Sequence, residues 1–295
     1  MGVNMICKLC PRQCGVDRDK MVGFCNSTNQ LKVARASLHY WEEPVISGTQ
    51  GSGTVFFSGC NLQCVYCQNF DISRGTTGKI ITPQRLAEIF KELEEKGANN
   101  INLVTPSHYV SQIIEALKIY KPHIPIVYNT SGYDSVSELK MLDGYVDIYL
   151  TDLKYYSSQL SEKYSKAVNY FDVATKAILE MVKQQPNNIF DDKGMMKKGV
   201  IIRHLVLPGM TQDSFKVLDW IKDNIGKDAI VSIMSQYTPV DNCARYPEIN
   251  RTLKPLEYKA VLTHFNSLGM TNGYCQELSS ATCNYIPDFQ SGEGV

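Results

Sequence analysis

The chain has 295 residues, of which 43% are hydrophobic and 20% charged, a composition that supplies a substantial core and excludes disorder over most of the length. Thirty basic side chains balance thirty acidic ones, so no overall field favours nucleic acid or an anionic membrane. The first residues show no basic stretch followed by an apolar one, and no segment approaches the length of a membrane-spanning helix; this describes a soluble cytoplasmic protein without a nucleic-acid or membrane partner.

Residues 1–50 lack regular patterning and carry four cysteines, and they read as a cysteine-rich N-terminal appendage. From 51 to 240, short apolar runs alternate with helical patterns, as expected of βα units on a mainly parallel sheet. The expected strands lie at 54–58, 100–105, 126–129, 146–151, 199–206 and 229–234. Between them the expected helices lie at 83–96, 109–120 and 136–142, in two stretches within 157–184, and at 214–225. The first of these is the clearest: Thr82 can cap it, Pro83 suits its first turn, and Leu86, Ile89, Phe90 and Leu93 share one face. Residues 185–198 read as an exposed polar loop. Residues 241–295 form a C-terminal extension in which Tyr258, Val261, Leu262 and Phe265 mark one more helix.

Polar residues recur just beyond successive strands: Ser58, Thr105, Asn129 with Ser131, Asp152 with Lys154, and Gln236. Chemistry gathers on that rim in parallel barrels. The expected fold is therefore α/β, a partial (β/α)6 barrel of parallel strands between an N-terminal appendage and a C-terminal extension.

Seven of the ten cysteines fall within the first 67 residues, a crowding that suits metal ligation better than a distributed disulfide framework. The sharpest signal is Gly59-Cys60-Asn61-Leu62-Gln63-Cys64-Val65-Tyr66-Cys67, directly after the first expected strand. Three thiolates on a cluster of four irons leave one iron open to a small molecule. A zinc site completed by a distant Cys or His is the alternative.

This loop resembles the signature of the radical S-adenosylmethionine superfamily, CxxxCxΦC, with Tyr66 as the aromatic Φ. Asp152-Leu153-Lys154 and the segment from Arg203 to Gly209 look like the branch that contains pyruvate formate-lyase-activating enzyme; Asn102 to Pro106 and Tyr128 to Tyr133 look like its uncharacterised relatives. The resemblance implies that a [4Fe-4S] cluster on Cys60, Cys64 and Cys67 chelates the methionine part of S-adenosylmethionine. Tyr66 would then lie near the adenine, with Thr105, Asn129 and Ser131 as further cofactor contacts. Asp152, Lys154 and Arg203 would touch cofactor or substrate. The implied activity is reductive cleavage to a 5′-deoxyadenosyl radical that abstracts hydrogen, with a low-potential flavodoxin or ferredoxin as donor and a glycyl-radical enzyme as one candidate substrate. The chain departs from the activating enzymes where they carry Gly-Gly-Glu after the second strand, for here it reads Leu103-Val104-Thr105-Pro106-Ser107. No carboxylate is supplied there, which leaves a small molecule or a peptide open as substrate. From another class, an iron–sulfur electron carrier or a metal-stabilised binding protein competes with the enzyme.

Cys7, Cys10, Cys14 and Cys25 could close a zinc site or hold an auxiliary cluster. Cys243, Cys275 and Cys283 are widely spaced and read as ordinary thiols. His108, His204, Tyr128 and Tyr133 stand near strand ends, where each could face a site or simply pack.

Overall fold

The structure, a computed structural model, describes residues 6–277 and 287–295. Strand β1 (Lys32–His39) leads through a short helix α1 (Pro44–Ser47) to β2 (Ser52–Phe57). The three-cysteine loop follows, then α2 (Phe70–Ser73) and β3 (Lys79–Ile80). Helices and strands then alternate through α3 (Pro83–Glu95), β4 (Ile101–Val104), α4 (Val110–Ile119), β5 (Ile126–Thr130), α5 (Val136–Met141) and β6 (Ile148–Asp152). The chain continues with α6 (Ser158–Ser165), α7 (Tyr170–Gln184), β7 (Ile189–Phe190), β8 (Met196–Leu205), α8 (Thr211–Asn224), β9 (Ile230–Met234), α9 (Pro255–Ser267) and β10 (Gly273–Cys275).

Each strand expected in the core is present, and the six pair in parallel in the order β2-β4-β5-β6-β8-β9. The order follows from chain sequence, because each helical crossover returns the chain beside the strand it has just left. The sheet does not close. Beyond β2 it continues through antiparallel β1 and β3, and beyond β9 through parallel β10. The first and last segments of the chain thus extend the central sheet. The polar stretch after α7 is shorter as a loop than expected, since β7 folds back antiparallel onto the start of β8.

Helix α3 forms as its sequence dictates. The Thr82 hydroxyl accepts a hydrogen bond from the Arg85 N–H, Pro83 opens the helix, and Leu86, Ile89, Phe90 and Leu93 are buried. That face joins the large apolar layer between the sheet's convex side and its helices, with Leu103, Tyr128, Tyr149 and Ile202.

Strand alternation sends the intervening residues to the concave side. At its lower end Val127, Ile148, Leu150 and Ile201 surround Ile46 of α1, which is wholly buried. Two residues further along three of these strands, the same face turns polar at Asn129, Asp152 and Arg203. The segment joining β1 to β2 therefore plugs the half-barrel, and the chemistry sits on top of the plug.

Ile46→Ala leaves a cavity that the surrounding strands cannot close, and we expect it to cost about 3 kcal/mol of unfolding free energy, against roughly 1 for Ile46→Val. Urea denaturation measures both; a loss under about 1 kcal/mol for the alanine variant would contradict the plug.

Candidate active site

The three-cysteine loop leaves β2 and is pinned from both sides. Gly59 N–H donates to the Ile72 carbonyl at 2.7 Å, Cys60 N–H to the Cys25 carbonyl at 3.1 Å, and Val65 N–H to the Tyr164 carbonyl at 2.8 Å. The Asn61 amide donates to the Tyr133 carbonyl at 2.7 Å. Gly59 has φ of 91°, and a Cβ there would stand 2.6 Å from the Cys25 carbonyl oxygen. Only glycine lets the N-terminal turn press this closely on the loop.

Two of the three sulfurs already accept hydrogen bonds. The Leu62 N–H points to Cys60 Sγ at 3.4 Å and the Ser165 hydroxyl to Cys64 Sγ at 2.9 Å. Ser165 in turn meets the Tyr155 hydroxyl at 2.7 Å, which meets the Tyr66 hydroxyl at 2.6 Å. Burial pushes the Cys67 thiol up to about 12 and raises that of Cys64 as well, so only a bound cation would make thiolates of them. Among the described residues no three such ligands already grip a common point; the fit to an iron–sulfur cluster rests on donor chemistry, loop and hydrogen bonds to sulfur.

Above the plug, Arg203 joins strands and segment in one network. Its Nε donates to Asp152 Oδ1 at 2.8 Å, Nη1 to Glu42 Oε2 at 3.1 Å, and Nη2 to Asn129 Oδ1 at 2.6 Å. Glu42 Oε1 also accepts from the Asn102 and Asn129 amides, each at 3.1 Å. Lys154 pairs with Asp152 Oδ2. Desolvation raises the Asp152 carboxyl, but Arg203 and then Lys154 outweigh it and hold it below the ordinary range. That contribution to stability is present above the ordinary carboxylate pKa and is lost as pH falls through the depressed value.

Three adjoining cavities run away from the loop. The nearest, of about 170 Å³, is lined by Cys64, Tyr66, Cys67 and Lys154. The middle one, about 210 Å³, meets Asn129, Asp152, Lys154 and Arg203. The far one, about 400 Å³, lies beyond Glu42 and Arg203, against Glu43, Ser232 and Tyr274.

The structure thus brings together Tyr66, Asn129, Asp152, Lys154 and Arg203 with the cysteine loop. Thr105 and Ser131 line none of these cavities. Thr105 sits at φ of 59° with its N–H on the Asn129 carbonyl, and the Ser131 carbonyl accepts from Tyr170. His108 and His204 are buried against backbone carbonyls. Tyr128 bonds Asp134, and Tyr133 stacks on Tyr170. Glu42, Glu43 and Ser165 had no sequence signal, because nothing in Trp41-Glu42-Glu43-Pro44 reveals that this segment enters the half-barrel.

The second cysteine group lies directly behind the loop. A Cβ on Gly23 would be 3.4 Å from both Cys14 Sγ and Cys25 Sγ, so those sulfurs lie within twice that distance of each other. Burial, reinforced by Cys25, Cys7 and Cys14, pushes the Cys10 thiol up to about 12. Arg12 spans the two groups, donating to the Asn61 carbonyl at 2.7 Å and the Ser165 carbonyl at 2.9 Å. Cys243 is buried beside Tyr237, Cys275 is exposed, and Cys283 lies outside the described residues.

Residues 54–221, more than half of the chain, match the family model described as the Radical SAM superfamily. The chain belongs to the radical SAM superfamily. An uncharacterized protein of Methanocaldococcus jannaschii is 34% identical over 266 residues, 87% of this chain and 73% of that protein. Among solved structures, Streptococcus suis SuiB bound to S-adenosylmethionine superposes with a TM-score of 0.52 at 12% identity, over 75% of this chain and 49% of that one. This chain therefore spans about half of SuiB. Methylornithine synthase superposes with a TM-score of 0.50 at 15% identity, covering 78% of this chain and 73% of that one. At such identities the likeness is one of fold, and it fits the open, mostly parallel radical SAM half-barrel seen here.

Removing Arg203 takes one cation from two buried carboxylates, leaving Glu42 with amides alone and Asp152 with Lys154 alone. We expect Arg203→Met to cost roughly 3–5 kcal/mol of stability, and Arg203→Met with Glu42→Gln to cost less than the sum of the single changes. A double-mutant cycle in urea measures this; strict additivity would contradict the network.

Proposed function

We propose that this radical SAM protein cleaves S-adenosylmethionine reductively and directs the resulting 5′-deoxyadenosyl radical to a hydrogen atom of a substrate. The observation that carries the reading is the cysteine loop opening straight into cavities walled by Asp152, Lys154 and Arg203. Bound by Cys60, Cys64 and Cys67, a [4Fe-4S] cluster would supply an electron and one iron free of cysteine. The electron would come from a low-potential flavodoxin or ferredoxin, and the chemistry supplied at this site would be one-electron reductive cleavage of S-adenosylmethionine to methionine and the 5′-deoxyadenosyl radical.

The chain's own side chains supply the rest. Lys154, held on Asp152, borders both cavities nearest the loop, the Arg203 and Asn129 network walls the middle one, and Tyr66 provides an aromatic wall. The Ser165 hydroxyl stabilises Cys64 as a thiolate. Cys7, Cys10, Cys14 and Cys25 are the proposed seat of zinc or an auxiliary cluster. Nine free thiols among the described residues suit a reducing cytoplasm. Of the two substrate classes, a glycyl-radical enzyme and a small molecule or peptide, the far cavity of about 400 Å³ favours the second, since a compartment of that size is built for a ligand.

Anaerobic reconstitution, reduction and mass spectrometry should detect 5′-deoxyadenosine from the wild type and none from Cys64→Ala. Absence of product from both, with a reducible cluster in the wild type, would give first place to an electron carrier or binding protein. Ser165→Ala deletes one hydrogen bond worth about 1 kcal/mol to the thiolate, and because that bond is stronger in the reduced cluster the midpoint potential should fall, by at most about 40 mV. An unchanged potential in a redox titration would remove Ser165 from the account.

A further inference from the structure

The far cavity holds an imbalance that the radical chemistry does not explain. Around Arg203 and Lys154 stand three carboxylates, Asp152, Glu42 and Glu43. Asp152 takes Lys154 and the Arg203 Nε, while Glu42 takes Arg203 Nη1 and two amides. All three guanidinium nitrogens are then engaged, the last by Asn129. Glu43 is left over. It is 8% exposed, it lines the far cavity, and its Oε2 is buried without a hydrogen-bond partner.

Two cations facing three buried carboxylates leave one negative charge in excess, an arrangement that costs several kcal/mol, and a buried carboxylate oxygen without a hydrogen-bond partner calls for an explanation. A packing role supplies none, because an amide or an apolar group would fill the same space without that cost. A ligand that brings a positive charge does. The walls suit such a ligand: Tyr274 lies close enough to Glu43 to feel its charge, and Tyr40 and Trp41 stand at the exposed side of the same cavity. Aromatic faces attract a desolvated ammonium. Ser232 and Gln276 add neutral polar groups.

The position fits a substrate better than the cofactor. The near cavity touches the cysteine loop, the middle cavity adjoins it through Lys154 and Gln236, and the far cavity adjoins the middle one through Glu42 and Arg203. A molecule chelated at the loop would fill the first two, and a group receiving the radical must stand next in line. Resting on the function proposed above, we propose that the far cavity binds the substrate by a protonated amine, with Glu43 as its counter-ion and the residue that sets specificity. Glu43 is a binding group here and takes no part in breaking the carbon–sulfur bond.

The test uses the reconstituted full chain saturated with S-adenosylmethionine, titrated calorimetrically with n-butylammonium, 1-butanol and butyrate as probes of one shape and three charges. Butylammonium should bind at least tenfold more tightly than either analogue. Glu43→Gln should erase that preference while retaining the fold, and Glu43→Asp should keep its sign. Because the glutamine variant removes the carboxylate in excess of the two cations, its thermal midpoint should be equal to or above that of the wild type. Equal binding of the three probes, or an ammonium preference that survives in Glu43→Gln, would overturn the inference. Failure of the underlying reading looks different, since S-adenosylmethionine itself would not bind in the same cell.

Discussion

Arg203 is a cation inside a half-barrel, and the water it has given up can be replaced only by acceptors placed on every side of it. Those acceptors come from different parts of the chain: Asp152 at the end of β6, Asn129 on β5, and Glu42 ahead of α1. The arginine thereby fixes the position of a segment that would otherwise be a plain connection between the antiparallel strands β1 and β2. Once Glu42 is held there, Ile46 drops among Val127, Ile148, Leu150 and Ile201 and seals the lower half of the concave face. A floor of hydrocarbon below and a ring of charge above define the compartment. The same arrangement explains why the sheet can stay open, because the plug replaces the strands that a closed barrel would need.

The cysteine loop depends on a second set of contacts. It is gripped between the N-terminal turns, through Cys25 and Arg12, and α6, through Tyr164 and Ser165. A redox centre on a loop needs such support, since hydrogen bonds to sulfur and exclusion of water set its potential. Arg12 touches backbone carbonyls of both the loop and α6, so a rearrangement at the N-terminal cysteines would be felt at Cys64.

Much of the core was legible because each buried strand advertises itself as a short apolar run between helical patterns, and each of those six strands lies where the runs fall. The cysteine loop stands out by its spacing and Asp152 and Lys154 by their place at a strand end, whereas Arg203 came only from the resemblance to activating enzymes. Strand β1 was not legible, because its mixture of Arg35, Ser37 and His39 with Val33 and Ala36 reflects uneven burial near the margin of the sheet, where only the two-residue β3 lies beyond it. Glu42 and Glu43 were invisible for a different reason. Their meaning comes from a tertiary event, the entry of a connecting segment into the concave face, and local sequence does not encode which polar residue will be drawn inside. Ser165 is similar, being one serine in a helix until the fold sets it 2.9 Å from Cys64 Sγ.

The central claim is that Cys60, Cys64 and Cys67 hold a cluster with one iron open to S-adenosylmethionine. Electron paramagnetic resonance of the reduced, reconstituted protein, recorded with and without S-adenosylmethionine, addresses it most directly. The account predicts a cluster signal whose g-values shift when S-adenosylmethionine is added, and which is lost in a variant lacking the three loop thiols but retaining Cys7, Cys10, Cys14 and Cys25. A spectrum indifferent to S-adenosylmethionine, or one that survives loss of the loop thiols unchanged, would contradict it.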